Sequence, residues 1–199
     1  MNDLFHKSWL WDYLRRSGAS GYFLPLSGGA DSSSTAAIVG VMCQLVAEAV
    51  RSGDAAVAAD VRRVVLGSSS AGGAGGGQQQ PGPEPEPEPD LGDPQVLANA
   101  ILHCAYMGTS HSSEETRGRA RALAGEIGAH FSALEIDRVT DAIVWVFTTF
   151  VNAEASGGNG RAPRFLSRGG ALSEDLALQN IQARVRMVLS YLCAQLLPW

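Results

Sequence analysis

The sequence predicts an α/β chain in which a parallel β-sheet is flanked by helices. Two observations predict it. The short apolar run Gly21-Tyr22-Phe23-Leu24-Pro25-Leu26 leads into the small-residue turn Ser27-Gly28-Gly29-Ala30-Asp31-Ser32-Ser33, and an apolar stretch to Val50 follows. That order reads as strand, turn and helix. Further strand-like runs at 100–107 and 131–137 then alternate with helical patterns, the spacing of a parallel sheet with right-handed crossovers.

Taken in order, Ser8 to Gly18 reads as a short amphipathic helix with Arg15 and Arg16 in its last turn and Gly18 as its stop. It is expected to pack beside the sheet and carry no chemistry. In the helix after the turn, Ile38, Val41, Met42, Leu45 and Ala49 recur at helical spacing as the expected core face, and Ser52-Gly53 ends it. Asp54 is the expected cap of a second helix with Val57, Val61, Val64 and Val65 on one face. Residues 67–94 change character abruptly, through glycine, glutamine and alternating Glu-Pro. Such a segment buries too little apolar area to offset its ordering entropy, so it is expected to be a disordered insertion with an extended Glu-Pro part.

The globular pattern resumes beyond it. Residues 100–107 are a core strand whose first residues could equally close a short helix from Gln95. Ser112 with Glu115 reads as a capping box opening a helix to about Gly128. After the third strand, Val139, Ala142, Ile143, Val146, Phe147 and Phe150 mark the next helix. Residues 152–171 are rich in Gly, Ser and Arg and read as a flexible loop of active-site size. Ser173-Glu174-Asp175 opens the last helix, with Leu178, Ile181, Val185, Val188, Leu192 and Leu196 as its expected buried stripe. Asn180 and Arg184 flank one side of that stripe, Gln182 and Arg186 the other. Arginines in such places read as solvated, snorkelling side chains or as ligand contacts.

Composition excludes several classes. A chain of 199 residues has room for one domain, and its net charge of −5 argues against a broad nucleic-acid partner. No apolar run approaches the roughly 18 residues of a membrane span without polar interruption. Cys43, Cys104 and Cys193 are odd in number, far apart and each within an apolar segment. They read as reduced core thiols of a cytoplasmic protein, with no metal-binding spacing.

The turn from Ser27 to Ser33 carries the chemistry. A strand turning through glycines into a helix aims backbone N–H groups and the positive helix end at one spot, which suits phosphate. Ser27, Ser32 and Ser33 add hydroxyl donors and Asp31 a carboxylate. A glycine turn with serine caps would use the same residues, but the strand before and the apolar helix after favour the anion site. The common phosphate loop requires a lysine, and the only lysine here is the remote Lys7. S-G-G-x-D-S resembles instead the PP-loop of enzymes that cleave ATP between its α and β phosphates.

Three stretches in order, LPLSGGADSSSTAAIVGVMCQLV, YMGTSHSSEETRGRA and SEDLALQNIQARVRMVLSYLCAQL, resemble the synthetase domain of the eukaryotic-type glutamine-dependent NAD+ synthetases. The resemblance covers nearly the whole chain outside 67–94. It implies an incomplete Rossmann-like sheet of the adenine nucleotide alpha hydrolase kind, in a partial synthetase domain spanning 1–199. It further implies ATP on Pro25, Leu26, Ser27, Gly28, Gly29, Ala30, Asp31, Ser32 and Ser33, with Ser27 as active-site residue and Asp31 as a Mg2+ ligand. Asn180 and Arg184 match the helix that meets deamido-NAD+ near a dimer interface, so a homo-oligomer is expected. The implied reaction is ATP-dependent amidation of deamido-NAD+ through an acyl adenylate, with ammonia from glutamine and no nucleic-acid or membrane partner.

The departures from the family matter too. In the family a nitrilase-like glutaminase domain makes the ammonia and this chain begins at its far edge. It also stops before the family's next core strand and the acidic, threonine and lysine residues that complete the ATP and metal site. On that expectation the chain alone makes no NAD+, and a silent, nucleotide-binding fragment or isoform is the alternative. A tRNA-modifying PP-loop enzyme is the nearest rival among enzymes, disfavoured by the acidic charge. His111 stands where the family usually has asparagine.

Overall fold

The strand Leu102–Gly108 (β2) is buried along its whole length, and the other described elements are arranged on its two faces and two edges. Its sequence LHCAYMG has no charged residue, as a strand covered on both faces requires. It pairs in parallel with Tyr22–Pro25 (β1) on one edge and with His130–Glu135 (β3) on the other, giving the order β1-β2-β3. This computed structural model describes residues 3–70, 89–154 and 161–196.

Side chains alternate across a strand, and β2 divides its residues accordingly. Leu102, Cys104 and Tyr106 join the larger core with Leu14, Leu26, Met42, Val46, Val61, Leu97 and Ile101. Ala105 and Met107 face the other way and pack with Ile136 and Val185. The first layer consists of the helices Asp3–Ser17 (α1), Ala30–Arg51 (α2), Ala55–Ser70 (α3), Pro94–Ile101 (α4) and Glu114–Ile127 (α5). On the opposite face lies Leu172–Leu196 (α7), with Asp137–Glu154 (α6) beside it. The parallel, Rossmann-like sheet flanked by helices is thus the fold of the described residues.

Several expectations need correction. The buried face of α2 is Ala36, Val39, Gly40, Met42, Cys43, Val46 and Ala47, while Ile38 and Leu45 are exposed. The helix is apolar almost all round, so periodicity could not choose the face. Small residues chose it, because a β-carbon on Gly40 would lie 3.0 Å from the Ile127 side chain. By length and composition α2 could also cross a membrane, contrary to the sequence reading; here it packs on α1, α3, α4 and α5.

Residues 67–70 of the expected insertion continue α3, and Pro94 opens α4 behind the cap Asp93. The remainder, 71–88, lies outside the described residues. The run before β2 does close a short helix. Ser113, not Ser112, caps α5 and accepts from the Thr116 N–H at 3.1 Å. Ser112 Oγ accepts instead from the Thr109 N–H at 2.8 Å. Asp54 caps α3 as expected, accepting from the Ala56 and Val57 N–H groups.

The apolar faces of the last two helices are not covered as predicted. On α6, Val139, Ile143, Val146, Phe147 and Phe150 are all exposed, and only Thr140 is buried. On α7, Leu178 and Val185 are buried, but Val188, Leu192 and Leu196 are exposed. The periodicity is real; the surface that would cover it is not among the described residues. The stretch read as flexible is also partly regular: 152–154 end α6, Leu166–Arg168 form a 3-10 turn, and 155–160 lie outside the described residues.

Candidate functional site

The parallel sheet brings three loops together at the carboxyl ends of its strands, the place where open α/β sheets bind ligands. They are Leu26–Gly29 after β1, Thr109–Ser113 after β2 and Ile136 after β3. Pro25 ends β1 opposite Ala105, and the Leu26 N–H extends the ladder by donating to the Ala105 carbonyl at 2.9 Å. Leu26 is fully buried and its side chain belongs to the core.

The turn itself is held by its own serines. Ser32 Oγ accepts from the Ser27 N–H at 3.2 Å and lies 2.9 Å from Ser27 Oγ. Ser27 Oγ in turn accepts from the Gly29 N–H at 3.2 Å. Gly28 has φ +75°, where a β-carbon would also stand 2.3 Å from the Thr116 carbonyl oxygen. The turn therefore lies directly against the first turn of α5, and only glycine fits there. Gly29 takes the N-cap position of α2 in extended conformation with no side-chain cap. The first-turn N–H groups of α2, from Ala30 to Ser32, thus have no intrahelical acceptor. They sit beside the Ser27 and Ser32 hydroxyls at the positive end of a 22-residue helix. Ser33 has already entered the helical ladder through the Gly29 carbonyl.

Asp31 is exposed in that first turn, and its carboxylate has no hydrogen-bond or salt-bridge partner among the described residues. It is not a cap. A single free carboxylate fits Mg2+, which keeps most of its waters and takes one or two carboxylates besides phosphate oxygens. No group of three or more metal-ligating side chains occurs among the described residues.

Three neighbours were not singled out by the sequence. Arg119 on α5 donates from Nε to the Gly28 carbonyl at 3.3 Å, across 91 residues, while its Nη1 pairs with Glu115. Asp137 at the start of α6 accepts from the Ser110 N–H at 2.7 Å, fixing the loop after β2. Arg168 lies 3.0 Å from His111 Nε2, and Phe165 meets the His111 ring edge-on, so the segment after α6 rests on that same loop. Only the topology joins these residues, which is why spacing along the chain gave no sign of them.

Asn180 and Arg184 come together but elsewhere. Arg184 Nη1 donates to Asn180 Oδ1 at 2.8 Å, and the pair lines an apolar groove of about 340 Å³ between α6 and α7 with Val139, Ile143 and Val188. No hydrogen bond or ion pair joins either to the turn. Arg186 is not a solvated side chain: it is half-buried and donates from Nε to the Met107 carbonyl at 2.9 Å, tying α7 to the end of β2. A second groove, of about 580 Å³, runs between α7 and β1 past Phe23, Pro25, Met187 and Tyr191.

The other titratable groups point to packing. Burial pushes the Cys43 thiol up to about 12 and the Cys104 thiol to about 11, so neither is a nucleophile. Tyr22 is raised to about 12 by burial while its hydroxyl donates to the Leu10 carbonyl at 2.6 Å.

Over 191 residues the chain is 46% identical to the glutamine-dependent NAD(+) synthetase of Arabidopsis thaliana, covering 96% of this chain and 23% of that protein. The glutamine-dependent NAD(+) synthetase of Homo sapiens is 44% identical over the same length and the same shares. The crystal structure of a glutamine-dependent NAD(+) synthetase from Cytophaga hutchinsonii matches 94% of this chain and 27% of its own, with a TM-score of 0.67 and 26% identity. The chain is homologous to a segment of the glutamine-dependent NAD(+) synthetases. It spans about a quarter of the length of the curated relatives it matches. No protein-family model matches it.

Proposed function

We propose that this chain is the nucleotide-holding part of a glutamine-dependent NAD+ synthetase, a ligase that joins ammonia from glutamine to the carboxyl group of deamido-NAD+. One observation carries the reading: the homologous segment places a glycine turn, two paired serine hydroxyls and the start of a long helix at the carboxyl end of its sheet. That arrangement answers the need of a reaction in which pyrophosphate departs.

In the first step a carboxylate oxygen of deamido-NAD+ attacks the α-phosphorus of ATP. The bond to the bridging oxygen breaks and pyrophosphate leaves. The α2 first-turn N–H groups and the Ser27 and Ser32 hydroxyls meet the charge that grows on it. Asp31 would hold Mg2+, which neutralises that same charge when bound. Ammonia then attacks the acyl carbon, AMP departs, and the amide remains after loss of a proton. The segment from Arg161 to Ala171, resting on His111, is suited to keep water from the acyl adenylate.

Asn180 and Arg184 are proposed to meet deamido-NAD+ in the groove between α6 and α7. The exposed apolar residues on those helices form a patch of the kind that marks an interface, and a second copy of the synthetase is the proposed occupant. A cytoplasmic location and the absence of nucleic-acid and membrane partners complete the proposal.

Calorimetric titration with deamido-NAD+ tests it. Binding is expected, weakened about tenfold or more by Arg184→Met, the scale of a charge-assisted hydrogen bond. A chain that binds tRNA but not deamido-NAD+ would transfer the reading to the tRNA-modifying enzymes. Supplied with deamido-NAD+, MgATP and ammonium, the 199 residues are proposed to form NAD+ much more slowly than an intact synthetase. Turnover within tenfold would show the site to be complete within this chain.

A further inference from the structure

The hydrogen bonds around the turn form a continuous chain that ends outside it. Arg119 Nε donates to the Gly28 carbonyl at 3.3 Å. The same peptide unit carries the Gly29 N–H, which donates to Ser27 Oγ at 3.2 Å. Ser27 Oγ lies 2.9 Å from Ser32 Oγ, which accepts from the Ser27 N–H at 3.2 Å. A peptide plane is rigid and its C=O and N–H point in opposite directions. Fixing the Gly28 carbonyl toward α5 therefore fixes the Gly29 N–H toward Ser27. With its acceptor side occupied by that N–H, the Ser27 hydroxyl turns its proton to Ser32 or to a ligand. Linked bonds of this kind also polarise one another.

Gly28 makes the arrangement sensitive to loss of its one anchoring side chain. At φ +75° with no side chain of its own, Gly28 puts no side-chain barrier in the way of a flip of this peptide. Contact with the Thr116 backbone limits it on one side, and Arg119 is the side chain that bonds its carbonyl. Glu115 pairs with the far end of the guanidinium and holds it in place.

We infer that Arg119 is a positioning residue of the anion site: through the Gly28–Gly29 peptide it orients the Ser27 hydroxyl toward a bound pyrophosphate group. The inference rests on the proposed reading of the turn. It concerns the donor, not the charge, and that distinction makes it testable. Glutamine places Nε2 at the same number of bonds from Cα as arginine places Nε, so Arg119→Gln keeps the donor and removes the charge, whereas Arg119→Met removes both.

The test is calorimetric titration of the purified 199-residue chain with inorganic pyrophosphate, alongside thermal melts of each variant. Arg119→Met is expected to weaken binding about threefold to tenfold, the range for one hydrogen bond, with a melting temperature close to that of the unaltered chain. Arg119→Gln should bind within about twofold of the unaltered chain. Should Arg119→Met fail to fold, Arg119→Gln alone decides: a loss of tenfold or more would show that charge is what matters and overturn the positioning role. Equal binding by all three would overturn the inference and leave the turn as an anion site. No binding by the unaltered chain would overturn both.

Discussion

Replacing Gly28 by alanine separates the demands of this turn from those of an ordinary glycine turn. Two costs add at this position. A non-glycine residue at positive φ costs about 1–2 kcal/mol. The added β-carbon would also stand 2.3 Å from the Thr116 carbonyl oxygen and 3.1 Å from its carbonyl carbon, both backbone atoms of α5. Relieving such an overlap by shifting backbone costs about 1–3 kcal/mol. Gly28→Ala should therefore destabilise by about 2–5 kcal/mol, which for a chain of this size lowers the melting temperature by about 4–20 °C. Gly18 is the control, because its φ is +73° and nothing lies within 4 Å of its would-be β-carbon. Gly18→Ala should carry the conformational cost alone, about 1–2 kcal/mol. Differential scanning calorimetry of the two variants checks the difference. A Gly28→Ala melting temperature no lower than that of Gly18→Ala would refute the close packing of the turn on α5.

Further outcomes follow from other residues. Burial holds the His103 imidazole below its usual range, partly opposed by the Ala100 carbonyl. The unfolded chain therefore takes up the proton first as pH falls, so the neutral-histidine contribution is complete above about 6.5 and is lost as pH drops below it; melts at pH 7.5 and 5.5 should differ less for His103→Gln than for the unaltered chain. Ser113→Ala should cost about 1 kcal/mol through loss of the α5 cap, while Glu115→Ala, whose carboxylate pairs with exposed Arg119, should stay within about 0.5 kcal/mol by urea unfolding. Asp31→Asn should leave the melting temperature nearly unchanged yet weaken MgATP binding without weakening that of metal-free pyrophosphate; equal loss of both would assign Asp31 to the turn's own structure.

What could be read from the sequence depended on whether the cause was local. The order strand, glycine turn, apolar helix is a local pattern, so β1, the turn and α2 were all legible around Ser27 to Ser33. The valine face of α3 was legible because Arg62 and Arg63 mark the opposite side, with Val61 and Val64 buried as expected. The face of α2 was not, since apolar residues surround that helix and Gly40 and Ala36 decide the contact by size. For α5 the capping-box spacing pointed to Ser112, one residue too early, because Ser112 Oγ is engaged by the Thr109 N–H and Ser113 is left to cap the helix. Arg119, Asp137 and Arg168 reach the site only through the crossovers, with partners 91, 27 and 57 residues away. On α6 the sequence reported an apolar face correctly, and what covers Val146 or Phe150 is not among the described residues.

The claim that the turn is built for the pyrophosphate half of ATP can be tested by one competition. Titrate the 199-residue chain with MgATP in the absence and presence of inorganic pyrophosphate, with Ser27→Ala as control. If pyrophosphate raises the apparent Kd for MgATP in proportion to its concentration, and Ser27→Ala weakens both ligands together, the turn holds the leaving group as proposed. ATP binding that is indifferent to pyrophosphate and to Ser27→Ala would place the nucleotide elsewhere and contradict the account.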